Sequence, residues 1–207
     1  MFTKFFNLDR PKQQRIVNAA MKEFAQKGYE NASTNEIVKE ASISKGLLFH
    51  YFKNKKQLYL FLHDHCIELL TNEFFRKIDL SETDFFMRVR QSMLIKMELL
   101  YQYPDLFTFM ESVYMEDAAE VKADLDKRRK ELTLVNMNKI FEGIDFSRFR
   151  DDIDVQKALK IIIWTFEQFG EEALHKAKLS SSHEVDYEKV FAEANEYFHI
   201  LIKCFYK

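Results

Sequence analysis

Glycine and proline are scarce in this chain of 207 residues, four of the first and two of the second. Turn-rich β architectures use both freely, so their scarcity argues against such folds and favours an all-α chain. Cysteine is nearly absent too. Cys66 and Cys204 have neither metal-type spacing nor the density of a disulfide scaffold, which points to free thiols in a reducing cytosol. Long hydrophobic runs are missing. The densest, Ile161–Phe166, is far too short to span a bilayer, and Met1–Arg10 holds no apolar stretch of the secretory kind. A soluble, cytoplasmic protein with no membrane role is expected.

What the chain has in quantity is phenylalanine, 21 residues of it, which is bulk material for a packed core. The net charge of −2 hides an asymmetry. Residues 1–60 carry eleven Lys/Arg against five Asp/Glu, a balance of +6, while 61–207 carry twenty against twenty-eight, a balance of −8. A basic head on an acidic chain suits contact with a polyanion; clustering of ordinary surface charge is the plain alternative.

Periodicity predicts about nine helices. Ile16, Ala20 and Phe24 recur on one face of a helix over 11–27, with Pro11 near its start and Gly28 placed to stop it. Ser33-Thr34-Asn35-Glu36 has the form of a capping box opening a short second helix, with Ile37 and Ala41 facing inward. Ser42-Ile43-Ser44 breaks the chain, Ile43 is expected inside, and Ser44 is placed to cap a third helix over 45–51. Asn54 then caps a long helix to about 78, whose buried side carries Leu58, Phe61, Leu62, His65, Leu69 and Leu70. Further helices are predicted over about 83–101, 104–115 and 118–142, the last stopped by Gly143. A charged loop (145–154), a helix over 155–178, a turn at Leu179–His183 and a final helix over about 184–206 complete the chain.

Three short helices, the second and third joined by a tight turn, have the layout of a helix-turn-helix, here over about 32–51. The run Ile16-Val17-Asn18-Ala19-Ala20, with Phe24, Gly28-Tyr29, Ser33, Ile37, Ala41, Ser44-Lys45-Gly46, Leu48-Phe49-His50-Tyr51-Phe52, Lys55 and Leu58, resembles the signature of the TetR family of bacterial transcriptional regulators. The resemblance covers about residues 10–60. It departs from the pattern at Ser42, where glycine is usual, and at Leu47, where a small residue or threonine is usual.

It implies a DNA-binding domain over 1–54 and a ligand-binding and dimerisation domain over 55–207. Ser33, Thr34 and Ser44 sit at helix N-termini, where free amides and the dipole attract phosphate. Capping without DNA contact is compatible with that role. Lys45 and Lys55 are candidate phosphate contacts, and Gly46, lacking a Cβ, would allow close approach of the sugar-phosphate backbone. Tyr51 could offer its phenol to a phosphate, or be a core aromatic with a wet hydroxyl. Leu48 and Phe52 point inward, which leaves Leu47, Phe49 and His50 on the outer face, where thymine methyls and base edges could meet them.

The helix near 155–170 is apolar almost all round, and the last helix carries a stripe too wide for one neighbour. In the family these two positions form a four-helix bundle with a second subunit. Ile162, Phe166, Phe169, Phe191, Phe198, Leu201, Ile202 and Phe205 are the residues expected at that homodimer interface; a monomer with a large core is the alternative. Met93, Met97, Tyr103, Phe107, Met110, Glu111, Tyr114 and Trp164 are candidates to line an adaptable cavity for a small lipophilic effector, though such side chains also fill ordinary cores. Glu98 and Glu111 would favour a cationic ligand if they faced the cavity, and are more simply solvated or paired acids.

The implied function is a ligand-released repressor bound as a dimer to a palindromic operator in double-stranded DNA, needing no cofactor and catalysing nothing. A constitutive DNA-binding regulator is the alternative. Glu172-x-x-His175 and Glu196-x-x-His199 raise the further case of a di-metal helical-bundle enzyme. About a hairpin near Ser181 the two motifs are offset by about six residues, on the order of 9 Å, so they would not share one metal. His63, His65 and Cys66 diverge around their helix, and there is no phosphate-cradling glycine loop or nucleophile elbow.

Overall fold

A computed structural model describes residues 2–179 and 186–207; the side chains of 132–138, 171, 174, 177–179 and 187 are outside that description. The described residues form ten α-helices and no β-strand. These are α1 (Thr3–Phe6), α2 (Arg10–Asn31), α3 (Thr34–Glu40), α4 (Lys45–Phe52), α5 (Lys55–Lys77), α6 (Phe85–Gln102), α7 (Pro104–Tyr114), α8 (Ala119–Ile140), α9 (Val155–Leu179) and α10 (Tyr187–Phe205). A single 3-10 turn, Phe146–Arg148, lies in the charged loop. The turn predicted over Leu179–His183 falls mostly outside the described residues. The all-α architecture follows the sequence pattern, with α1 and the 3-10 turn as additions.

The local stops and starts have identifiable causes. Gly28 adopts φ 67°, ψ 177° inside α2, so the helix breaks where glycine was expected to end it and resumes for one short turn. Asp9 caps α2 by accepting the Lys12 N–H at 2.9 Å, and Asn54 caps α5 by accepting from Gln57 at 2.8 Å. Gly143 closes the stretch after α8 at φ 74°.

The chain divides into two compact units, 1–78 with 98–139, and 79–97 with 140–207. In the first, α2 lies against α3, α5 and α7, and α4 lies against α1, α3 and α5. Ile16, Ala20, Phe24, Ile37, Ala41, Leu48, Phe52 and Leu62 are wholly buried there, and Phe109, Val121 and Leu125 of α7 and α8 join the same core. The helices of the expected DNA-binding head thus share one core with segments well beyond residue 54. Cys66 is also buried in it, its thiol 3.5 Å from the Met21 sulfur, and burial pushes its pKa up to about 12.

The second unit is built on Phe85, Phe86, Phe149, Ala158, Ile162, Phe198 and Leu201. Its least expected member is Arg88, which is fully buried. The guanidinium donates to the carbonyls of Ile140 at 2.7 Å and Leu80 at 2.8 Å, and also to that of Glu82. Three backbone oxygens, one at the end of α8 and two in the turn between α5 and α6, thereby satisfy most of a charge that would otherwise be costly to bury. Arg148 pairs with Asp84, and Tyr206, raised to about 12 by burial and the nearby Asp84 charge, stacks edge-on to Phe86 at 4.8 Å.

Candidate nucleic-acid interface

The geometry of α3, the following turn and α4 is that of a helix-turn-helix. Ala41 ends α3, and the chain reverses through Ser42 at φ 54°. This is the left-handed region that disfavours a side chain, at a cost of about 1–2 kcal/mol for a residue other than glycine. The Ser42 N–H donates to the Lys39 carbonyl at 3.2 Å and the Ile43 N–H to Val38 at 3.0 Å, which closes the turn. Ser44 then caps α4 as expected, its hydroxyl accepting the Leu47 N–H at 3.3 Å.

The capping box at Ser33 does not form. Ser33 holds the N-cap position without a side-chain capping bond. Its own N–H donates to Glu23 at 2.8 Å, where Glu36 was expected to reach back. Glu23 is a buried acid on α2 that sequence reasoning passed over, and it also accepts from Lys27 at 2.9 Å. Burial raises its pKa, but the Ser33 amide and Lys27 outweigh burial and hold the carboxyl below its ordinary value.

On α4, Leu48, Tyr51 and Phe52 are buried and Phe49 is half-buried, while Lys45, Gly46, Leu47 and His50 are exposed. Leu47 leaves 38% of its surface in solvent, although it is large and apolar. Gly46 has ordinary helical geometry, and a Cβ built there would meet nothing nearer than the Ser44 hydroxyl at 4.0 Å. Nothing among the described residues requires glycine at that position. Tyr51 is only 9% exposed and its ring packs on Phe5 and His50. Ser33 and Thr34 are half-buried.

Lys55 is occupied within the chain. Its ammonium donates to the Glu30 carbonyl at 3.0 Å and lies 5.0 Å from the centre of the Tyr29 ring. Its neighbour Lys56 pairs with Asp124 at 2.8 Å. Exposed positive charge around α4 therefore comes from Lys39, Lys45 and Lys53, the last at φ 65° where α4 ends.

The other expected sites divide between the two units. In the second, Ile162, Phe198 and Leu201 are buried in the chain's own core, Phe166 lies 4.4 Å from Phe198, and Phe169 lies 5.4 Å from Tyr197. Phe191 and Phe205 are half-buried. The large apolar side chains left in solvent on α9 and α10 are Ile161, Trp164, Tyr197, Ile200 and Ile202. Of the expected interface residues, Ile202 alone is in that exposed set. Trp164, expected on a cavity wall, is 62% exposed. Met93 and Met97 are half-buried in the second unit; in the first, Tyr103, Phe107, Met110 and Glu111 are half-buried and Tyr114 is exposed. Glu98 is an exposed acid paired with Lys77 at 2.6 Å. Glu172, His175, Glu196 and His199 are all exposed, with Glu172 beside Lys176 at 3.9 Å.

Residues 16–61, from the first helix of the head to the start of α5, match the family model described as bacterial regulatory proteins, tetR family. The head of the chain, residues 16–61, is of the TetR type. A TetR-family head of this kind is a DNA-binding helix-turn-helix, and the family is one of transcriptional regulators rather than enzymes. Among curated relatives, the chain is 47% identical over 51 residues to the HTH-type transcriptional regulator YuxN of Bacillus subtilis, covering 25% of this chain and 18% of that one. It is 24% identical over 172 residues to the fatty acid metabolism regulator protein of the same organism, covering 77% and 81%. Its fold resembles that of SmeT of Stenotrophomonas maltophilia in a complex with triclosan, with a TM-score of 0.71, 17% identity, and coverage of 96% and 93%. The match thus spans less than a fifth of the first relative and about four fifths of the second. No described helix is long and apolar enough to cross a membrane.

Proposed function

We propose that the protein is a cytoplasmic, dimeric repressor that grips a palindromic operator through two copies of α4 and lets go when a small lipophilic molecule binds. The observation that carries the DNA half is the exposed face of α4. Lys45, Gly46, Leu47 and His50, with the half-buried Phe49, project from a helix whose opposite side is sealed into the core. An exposed leucine flanked by lysine, glycine and histidine fits a major groove, where thymine methyls are apolar and the rim is anionic. Gly46 supports the same reading, since close approach of a phosphate backbone is a reason for glycine that lies outside the chain. The functional division is 1–54 for DNA and 55–207 for effector and partner, although α5, α7 and α8 share the core of the head.

Dimerisation is supported by the exposed apolar residues of α9 and α10, with Trp164 at 62% and Ile200 at 57%. The effector half is supported by two comparisons: SmeT is seen with triclosan, and the second relative is named for fatty acid metabolism. Tyr103, Phe107 and Met110 of the α6–α7 region are the half-buried, adaptable side chains we assign to it.

The test is selection of duplexes by the full chain from a randomised library. A two-fold symmetric sequence is expected, with half-sites about 34–36 Å apart or a multiple of that, and with affinity falling steeply as salt rises. Selection of no sequence, or salt-insensitive binding, would refute the DNA half. Triclosan and long-chain acyl compounds titrated against the complex test the effector half. Release by none of them would leave a regulator that acts without an effector.

A further inference from the structure

The segment ahead of α2 has no part in the helix-turn-helix, yet it is built into the back of α4. Phe5, in the four-residue α1, is 1% exposed. Its ring meets Phe52 at 5.0 Å, Phe61 at 5.1 Å and Tyr51 at 6.4 Å. Phe2 adds contacts to Phe61 at 4.8 Å and Phe52 at 5.8 Å. The turn is itself pinned, because the Gln13 amide on α2 donates to the carbonyls of Phe6 at 3.2 Å and Leu8 at 2.8 Å. We infer that α1 is an aromatic clasp and that Phe5 is a positioning residue for operator recognition, setting the orientation of α4 without touching DNA.

The far half of α4 is held between α1 and Phe61 of α5, whose ring lies 5.0 Å from that of Phe52. The helix has only eight residues, too few to be stable alone, so its orientation is set by the side chains it buries. Leu48 anchors the first turn in the head core, while Tyr51 and Phe52 anchor the second. Phe5 contacts both residues of that second anchor. Phe49 and His50 precede Tyr51 directly, so any roll of the second turn moves them with it. Base edges are read through contacts of defined geometry, whereas phosphate contacts through long lysine stems tolerate displacement. Loosening the clasp therefore lowers preference for the right sequence more than it lowers attraction to DNA in general. The inference rests on α4 being the reading helix, as proposed above.

The experiment compares two duplexes of equal length, the one the wild-type full chain selects from a randomised library and one of scrambled sequence. Phe5→Ala is expected to weaken binding to the selected duplex roughly ten- to a hundredfold, and to change binding to the scrambled duplex by less than about threefold. Phe5→Leu, which keeps most of the apolar volume, is expected to restore most of the difference. Lys4→Ala, an exposed change on the same turn, should leave the ratio of the two affinities unaltered. Circular dichroism at the assay temperature establishes that each variant is folded. If Phe5→Ala does not fold, Phe2→Ala at a half-buried position is expected to show a smaller shift of the same sign. Equal losses on both duplexes, or an unchanged ratio in a folded variant, would make the clasp a stabilising contact only and overturn the inference. Failure of the wild type to select any duplex would instead remove the reading of α4 on which the clasp depends.

Discussion

Both α4 and the α9–α10 pair leave large apolar side chains in water, and the difference lies in what surrounds them. Leu47 stands beside Lys45, Gly46 and His50, and with Lys39 and Lys53 the neighbourhood is positive. Ile161, Trp164, Tyr197 and Ile200 form a larger apolar exposure, on helices that carry Glu167, Glu193 and Glu196 among their exposed and half-buried positions. The first surface suits a polyanion with apolar spots; the second suits an apolar surface with a polar rim, which is the make-up of a protein interface. Exposed hydrophobicity therefore has no single meaning, and the adjacent charge assigns it.

The largest expected effect breaks the second surface. Trp164→Glu with Ile200→Glu places charge on two exposed positions, so the chain should fold but remain a monomer of 24.9 kDa in sedimentation. Each charge buried at an interface without a partner costs several kcal/mol, so operator binding should be lost as well. A double variant that stays dimeric would move the interface elsewhere. Phe198→Glu sharpens the contrast. That residue is 4% exposed in its own chain, so the variant should unfold rather than dissociate.

Next in size is Glu23→Ala, which removes the acceptor of the Ser33 N–H in a buried place and should cost about 1–3 kcal/mol in denaturant unfolding. The folded carboxyl titrates below its ordinary value of 4.5. Its contribution is therefore complete above that pH and fades as pH falls through the lower, folded value. Glu23→Gln should flatten this acid limb, and an unchanged limb would show that Glu23 contributes nothing to it. Lys45→Ala tests the first surface more gently. It should weaken all duplexes alike and reduce the slope of log affinity against log salt by about two, one contact from each copy of α4, leaving sequence preference in place. A change in preference would make Lys45 a base reader. The smallest effect is a gain: Ser42→Gly relieves the φ 54° backbone and should stabilise the chain by up to about 1 kcal/mol, read as a higher denaturation midpoint. A loss of stability would show that the Ser42 side chain matters more than its backbone.

The helices of the head were legible because Ile16, Ala20 and Phe24 recur at helical spacing, as Ile37 and Ala41 do after them, and because Ser44 and Asn54 bond locally to amides three residues on. The signal at Ser33 was equally local and still misled, since Glu23 comes from ten residues away and takes the amide first. Distance in sequence hid Phe5 for the same reason, and a four-residue helix is too short to show periodicity. On α9 and α10 the pattern declared wide apolar surfaces without saying which side the chain keeps. Ile162, Phe198 and Leu201 went to its own core, and Ile161 and Ile200 were left outside. A buried arginine such as Arg88 is invisible to pattern, because the carbonyls that satisfy it belong to backbone ends brought together only by folding.

The two thiols differ in a way that makes the protein its own tool. Cys66 is sealed beside Met21 and stays protonated at neutral pH, whereas Cys204 is exposed on α10. Cys204 stands one turn after Ile200, so a maleimide dye added to the folded chain reacts at one place, and should react more slowly wherever the proposed pairing covers that face. Protection of Cys204 as concentration rises would report the proposed pairing, and the Cys66 thiol becomes reactive only when the core opens. The same pair of cysteines thus gives an assembly gauge in the folded state and an unfolding clock in the denatured one.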